Sequence, residues 1–396
     1  MRYLILGAGP AGLTVANRLK ELGETSFLVL EKQSEAGGLC RSMEVDGSPL
    51  DIGGGHILDV RNPQVNAYLF QFMPEEEWNT YDRISKIQMG DIILDYPFEA
   101  NIWELPIEEQ IKHLMSIAQA GCNNDVPKPE KFSEWIPWKL GRKITDDYML
   151  PYNQKIWSMD LDKLGTYWLD KLPNVSFSET LRSCLEHKSY GKLPGHARFY
   201  YPKKYGYGEL WLRMAEKIKD HMEYGAEVRE LDLERRLVNG RYQADVIINT
   251  VPWTSFHAKG VDEAFRACLK QLIHTSVVVK YYKDTVKTDA SWAYFPDDQL
   301  EFHRIMYRST FCKGARGYWT ETNLVRSDRS DGRWHYVNEY AYPVSTIDKP
   351  KAIKYIVDYA DKRNVIGFGR WGEWQHYNSD LIVENALKLV DRLKGR

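Results

Sequence analysis

Tyr3-Leu4-Ile5-Leu6 is a short apolar run of the kind a buried parallel strand shows, and it breaks at once into Gly7-Ala8-Gly9-Pro10-Ala11-Gly12. Leu13, Val15, Ala16, Leu19 and Leu22 then recur at helical spacing, and a second apolar run, Phe27-Leu28-Val29-Leu30, ends in Glu31. Strand, glycine turn, helix, strand, acid is the order of a dinucleotide-binding unit. Gly7 permits the tight turn, Gly9 lets a pyrophosphate approach the backbone, and Gly12 lets the helix lie close on the strand. The helix N-terminus offers free N–H groups and a positive dipole end to phosphates. Glu31 stands nineteen residues after Gly12, close to the spacing at which a carboxylate accepts hydrogen bonds from ribose hydroxyls.

The residues after Glu31 favour FAD over NAD. Gly37-Gly38-Leu39-Cys40-Arg41 comes just beyond the acid and allows a second close backbone approach, with Arg41 placed to pair with a pyrophosphate. Asp51-Ile52-Gly53-Gly54-Gly55-His56 then brings backbone at Gly54 and Gly55 past the flavin ring. Gly38, Leu39, Arg41, Gly54, Gly55 and His56 are therefore assigned to the cofactor. This order resembles the FAD proteins of the amine oxidase and protoporphyrinogen oxidase superfamily. A later match, Gly367-Phe-Gly369-Arg-Trp-Gly372, is no second nucleotide site, because the residues after it carry no apolar helical face and no acid-ended strand comes next. It is read as lining the flavin site.

The chain of 396 residues is long enough for two or three packed units. Its net charge of −2 gives no global attraction to nucleic acid or anionic lipid. No stretch approaches the roughly 20 apolar residues that span a bilayer, and the amino terminus lacks the layout of a secretory signal. Five scattered cysteines without a CxxC pair argue against a zinc site or a disulfide framework. A cytoplasmic, thiol-reduced protein without nucleic-acid or membrane partners is expected, and a homodimer is one arrangement open to it. Residues 90–170 read as mostly helical, around 107–119 and 145–156. Residues 195–205 and 274–345 suggest an antiparallel sheet. Between them, 226–231, 240–244 and 245–252 read as strands returning to the nucleotide unit, and Val228 is assigned to the cofactor. The fold class is α/β: a Rossmann-type FAD-binding domain (1–85, 215–265, 360–396), an inserted helical domain (90–170) and an antiparallel β-sheet substrate domain (171–214, 270–358). A final apolar stripe, from Leu381 to Leu393, forms a helix capped by Ser379 or Asp380. In this fold its positive end faces the flavin N1–O2 edge and stabilises the anionic reduced ring.

At finer grain the chain resembles the UDP-galactopyranose mutases. Asp51-Ile-Gly-Gly-Gly-His56 is similar to their Gly-Gly-His turn, Leu150-Pro-Tyr-Asn-Gln-Lys-Ile-Trp157 to Pro-Tyr-x-x-Lys-x-Trp, and Phe199-Tyr-Tyr-Pro-Lys-Lys-Tyr-Gly-Tyr-Gly208 to Tyr-Pro-x-x-Gly-x-Gly. Arg304, Tyr342-Pro343 and Gly369-Arg-Trp-Gly372, with Asp380 ahead of the last helix, match further elements in the same order. The resemblance implies a mutase that interconverts the pyranose and furanose forms of a nucleotide sugar through a covalent adduct on N5 of reduced FAD, without net redox, with a place in polysaccharide biosynthesis. It implies catalytic roles for His56, Arg304, Lys171, Tyr342 and His376. Substrate contacts fall to Tyr152, Trp157, Arg304, Tyr342 and His376, and a cofactor contact to Asp380. Lys171 stands where the mutases usually carry an arginine, His376 where they have a diphosphate tyrosine, and Asn378 where they have an acid, so the sugar and the base are left open. Two other classes are compatible with the motifs: an oxidoreductase of the amine oxidase or protoporphyrinogen oxidase type, and an inactive flavin-binding protein.

Overall fold

The computed structural model describes residues 1–169, 174–191 and 196–394. Its centre is a five-stranded, wholly parallel sheet in the order Met222–Tyr224, Phe27–Glu31, Tyr3–Leu6, Val246–Asn249, Val365–Gly367. Three distant stretches of chain supply these strands. The first strand is buried at every position, as its unbroken apolar run requires. Helix Pro10–Glu21 succeeds the glycine turn, and a Cβ at Gly12 would lie 2.0 Å from the Gly7 carbonyl oxygen, so only glycine permits this approach. The last helix, Ser379–Lys394, lies against the first, with Arg18 paired to Asp391 at 2.9 Å. The fold is thus α/β with a Rossmann-like unit.

A four-stranded sheet stands beside it: Tyr242–Gln243, Leu237–Val238, Glu230–Asp232 and His257–Lys259. Residues 226–229, expected as strand, are not; Ala226 and Val228 line a cavity beside the parallel sheet instead. A seven-stranded sheet runs His335–Pro343, His274–Tyr282, Tyr318–Asn323, Arg304–Met306, Trp292–Tyr294, Ser85–Met89, Ile92–Asp95. It is mixed, because Trp292–Tyr294 pairs parallel with Ser85–Met89. Strand Arg198–Pro202 does not join this sheet. It pairs with Leu58–Asp59 and Trp78–Asp82 in a sheet of its own.

The edge strands carry Ile87 and Leu94 into a separate core with the helices Ile107–Ala118, Phe132–Ile144 and Leu150–Trp157. A π-turn, Thr145–Met149, leads into the last of these. Lys155, wholly buried, donates from Nζ to the carbonyls of Phe295 (2.8 Å) and Asp297 (2.6 Å), which ties that helix to the large sheet. A second tie is Asp51. Its carboxylate accepts from Ser42 Oγ (2.6 Å), Tyr201 Oη (3.1 Å) and the Tyr207 N–H (3.1 Å), joining three separate segments.

Candidate active site

Three adjoining cavities run from the parallel sheet toward the helices. The first, of about 410 Å³, is a trough at the carboxyl ends of the parallel strands, lined by Gly7, Gly9, Glu31, Gly38, Leu39, Arg41 and Val228, with His56 and Arg370 at one end. Ligands of open parallel sheets bind at this edge. Glu31 accepts from the Ala8 N–H (2.8 Å) and the Gln33 N–H (2.9 Å), so two backbone donors fix its carboxylate while lone pairs stay free for ribose hydroxyls. Arg41 Nη2 donates to Tyr336 Oη (2.7 Å) and Nε to the Gly38 carbonyl (3.1 Å). A Cβ on Gly38, which has φ +54°, would lie 3.1 Å from the Cα of Gly9. A side chain there would fill the floor on which a pyrophosphate rests. The trough's length, its bare floor and its acid fit a dinucleotide.

The second, of about 200 Å³, is a junction lined by His56, Arg83, Arg304, Arg370, Tyr294, Tyr342 and His376. Three arginines meet here, and no carboxylate is among the described lining residues. Arg304, on a strand, is paired with fully buried Glu321, and the other Glu321 oxygen accepts the Gly55 N–H at 2.9 Å. Burial works against the charge of Arg304, and the Glu321 carboxylate more than offsets it, so the guanidinium stays protonated. Among the described residues Arg370 donates to the carbonyls of Tyr377 (2.8 Å) and Ala341 (3.1 Å), and burial lowers its hold on the proton. His56 Nδ1 lies 3.0 Å from the Gly54 carbonyl, which can only accept, so Nδ1 carries the proton. Burial, with Arg370 next, drives this imidazole down to about 3, so it is neutral and offers Nε2 as an acceptor.

The third, of about 310 Å³, is lined by Tyr96, Glu99, Trp135, Tyr148, Tyr152, Trp157, Trp168 and His303, and shares Tyr294, Arg304, Tyr342 and His376 with the junction. Its walls are mostly flat rings: Tyr152 lies 5.4 Å from Tyr148 and 5.5 Å from Tyr294.

His56, Arg304, Tyr342 and His376 therefore come together, with the Tyr342 and His376 rings 5.1 Å apart, and Tyr152 and Trp157 face the adjoining aromatic space. Gly12 lies under the trough as a packing residue, and Gly54 backs onto Glu321 rather than lining the trough. Asp380 is not among the trough's lining residues. It groups with Asp59 and His196, while its neighbour Ser379 lines both trough and junction. Lys171 lies outside the described residues. The 367–372 segment is a strand end and a single turn, Gly369–Gly372, whose Arg370 and Trp371 line the trough. No motif points to Arg83, Glu99, Tyr294, His303 or Glu321. Glu321 does carry a signal, a carboxylate within a strand of otherwise buried character, because such a charge is seldom buried without a partner.

Fold and site together define an α/β protein with a Rossmann-like unit, whose trough ends at an arginine-lined pocket. A family model described as an NAD(P)-binding Rossmann-like domain matches residues 5–72. A crystal structure of reduced UDP-galactopyranose mutase is similar over 100% of this chain and 94% of that one, with a TM-score of 0.89 at 23% identity. A CLA-producing fatty acid isomerase from P. acnes (TM-score 0.66, 16% identity, 99% and 98% covered) and a cyclohexylamine oxidase from Brevibacterium oxydans IH-35A (0.68, 12%, 100% and 99%) share the architecture. An uncharacterised protein from the nifH2 3′ region of Methanothermococcus thermolithotrophicus is 45% identical over 53 residues, 13% of this chain and 50% of that protein. The resemblance to the mutase thus holds at the level of the fold, and that fold is shared with the fatty acid isomerase and the cyclohexylamine oxidase.

Proposed function

We propose that this chain binds FAD and acts as a nucleotide-sugar mutase, interconverting pyranose and furanose forms without net redox. The observation that carries the reading is the junction: a nucleotide trough ends at a pocket with three arginines, which opens in turn into an aromatic cavity. Reduced flavin, when bound, would supply a nucleophilic N5. The chain's own residues do the rest. Gly9, Gly38 and Arg41 hold the pyrophosphate of the cofactor, and Glu31 its ribose. Arg304 and Arg370 meet the diphosphate of the substrate, whose charge grows as it leaves the sugar, and Tyr342 donates a hydrogen bond to it. Arg304 is held in place by Glu321 before substrate arrives, so little reorganisation accompanies the reaction. Neutral His56 accepts a hydrogen bond from a sugar hydroxyl through Nε2. Tyr152 and Trp157 pack against the nucleoside. His376, next to Tyr342, serves the diphosphate where the mutases have tyrosine.

The experiment is a screen of UDP-, GDP- and dTDP-sugars with the dithionite-reduced, FAD-loaded protein, with furanose products read by chromatography. Turnover should appear with reduced flavin and be nearly absent with oxidised flavin; equal rates in both states would remove the proposal. The aromatic walls of the third cavity favour one second reading, an oxidase of apolar amines, which would consume oxygen and release hydrogen peroxide on amine substrates.

A further inference from the structure

Glu99 stands in the third cavity without a task in the mutase reaction. It sits in the short turn Phe98–Ala100, 8% exposed, and lines the cavity beside Tyr96 and Tyr148. Its carboxyl accepts its own backbone N–H, and no side chain among the described residues donates to it. Burial pushes it up to about 7, and the one cation that opposes this shift is Lys139 on the helix Phe132–Ile144, which reaches no ion pair with it among the described residues. Glu99 lines the third cavity but not the junction, whereas Arg304 lines both, so the carboxyl lies off the anion pocket. The cavity is therefore bipolar. Arg304, Tyr342 and His376 stand where it meets the junction, and a carboxyl with no side-chain donor among the described residues lines the part that the junction does not share. A carboxylate has about four lone-pair sites, and a buried one that protein donors meet only in part gains from a ligand that supplies further donors.

Resting on the reading of this site as a nucleotide-sugar site, we propose that Glu99 determines its base specificity and selects guanine. A carboxylate presents two coplanar acceptors and is satisfied by two adjacent donors. Guanine offers N1–H and the N2 amino group side by side. Uracil and thymine offer one imide N–H flanked by two carbonyl oxygens, which would face the carboxylate with lone pairs. Adenine and cytosine offer an amino group beside a bare ring nitrogen. The charge-assisted, two-point contact to guanine is the strong case, and Trp135, Tyr148 and Trp157 provide flat surfaces for a purine.

The test is equilibrium binding of GDP, UDP, CDP and ADP to the FAD-loaded protein at pH 8, where Glu99 is ionised, with flavin absorbance as the check on folding. GDP should bind about tenfold or more tighter than UDP, the discrimination typical of a bidentate base contact. That preference should shrink as pH falls below 7 and the carboxyl takes up its proton. The near-isosteric Glu99→Gln variant should lose a similar factor for GDP and none for UDP. If the protein binds nucleoside diphosphates well but prefers UDP, or if Glu99→Gln leaves the GDP to UDP ratio unchanged, the base assignment is overturned and the mutase reading stands. If no nucleoside diphosphate binds at all, the mutase reading itself falls, and the guanine assignment with it.

Discussion

Arg304 and Glu321 bear on both stability and binding, and the two effects can be separated. Glu321 is fully buried, so Arg304→Ala strands its charge, and breaking such a pair costs about 3–5 kcal/mol. The single variant should lose stability in urea as well as nucleoside diphosphate affinity. Pairing it with Glu321→Gln removes the stranded charge, and the double variant should recover most of the stability but none of the affinity. Recovery of affinity along with stability would show that Arg304 serves the scaffold only. The sequence signals half of this pair. The motif order draws attention to Arg304, but the partner lies on a neighbouring strand, and only the cross-strand register Arg304 to Glu321 brings the two together. His56 is legible from its place after three glycines. Its tautomer is set by the Gly54 carbonyl two residues back, but its neutrality comes from burial and then from Arg370 and Arg304, hundreds of residues away, and is not legible.

Short pieces of backbone far apart in the chain are held by single buried side chains, and Asp51 is the clearest case. Burial pushes its carboxyl up to about 7 against three donors that pull it down. In the unfolded chain it titrates near 3.8, so the folded state holds the proton more tightly. The stability this group contributes is full below about pH 3.8 and is lost as pH rises through about 7. Asp51→Asn keeps the shape without the charge. Relative to the variant, the wild-type protein should be more stable at pH 5 than at pH 8 when unfolding midpoints in urea are compared. An identical difference at both values would show that Asp51 is ionised throughout. At this scale the sequence is most legible where local pattern and burial agree. The first strand, the first helix and the last helix come from apolar periodicity alone. Arg198–Pro202 reads as a strand, but its partners do not show, because alternation of aromatic residues does not say which edge they will meet.

Over the whole molecule, the trough is walled by the N-terminal segment, by residues 226–255 and by 336–382, so a ligand filling it would touch parts of the chain that are otherwise joined only through the fold. FAD binding to the folded state alone should stabilise the protein by about 2.7 kcal/mol at a hundredfold excess over Kd. Thermal unfolding of protein stripped of flavin, then titrated with FAD, measures this; no rise in midpoint would sink the cofactor assignment. Among the described residues no helix is long and apolar enough to cross a membrane. The overall plan is legible because the glycine turn fixes a parallel sheet, and a parallel sheet needs crossovers in which insertions can sit. The mixed character of the large sheet is not, since its parallel pair joins Ser85–Met89 to Trp292–Tyr294 across most of the chain.

The pairing of Tyr3–Leu6 with Val246–Asn249, and of the first helix with the last, also governs when this protein can take shape on the ribosome. The glycine turn and its neighbour strand Phe27–Glu31 are made together, yet the strand on the other side of Tyr3–Leu6 is made some two hundred and forty residues later and the helix that packs on the first helix later still. A nascent chain therefore displays a complete nucleotide motif with no pocket around it, and must keep an apolar strand from wrong pairings until that last helix has been made.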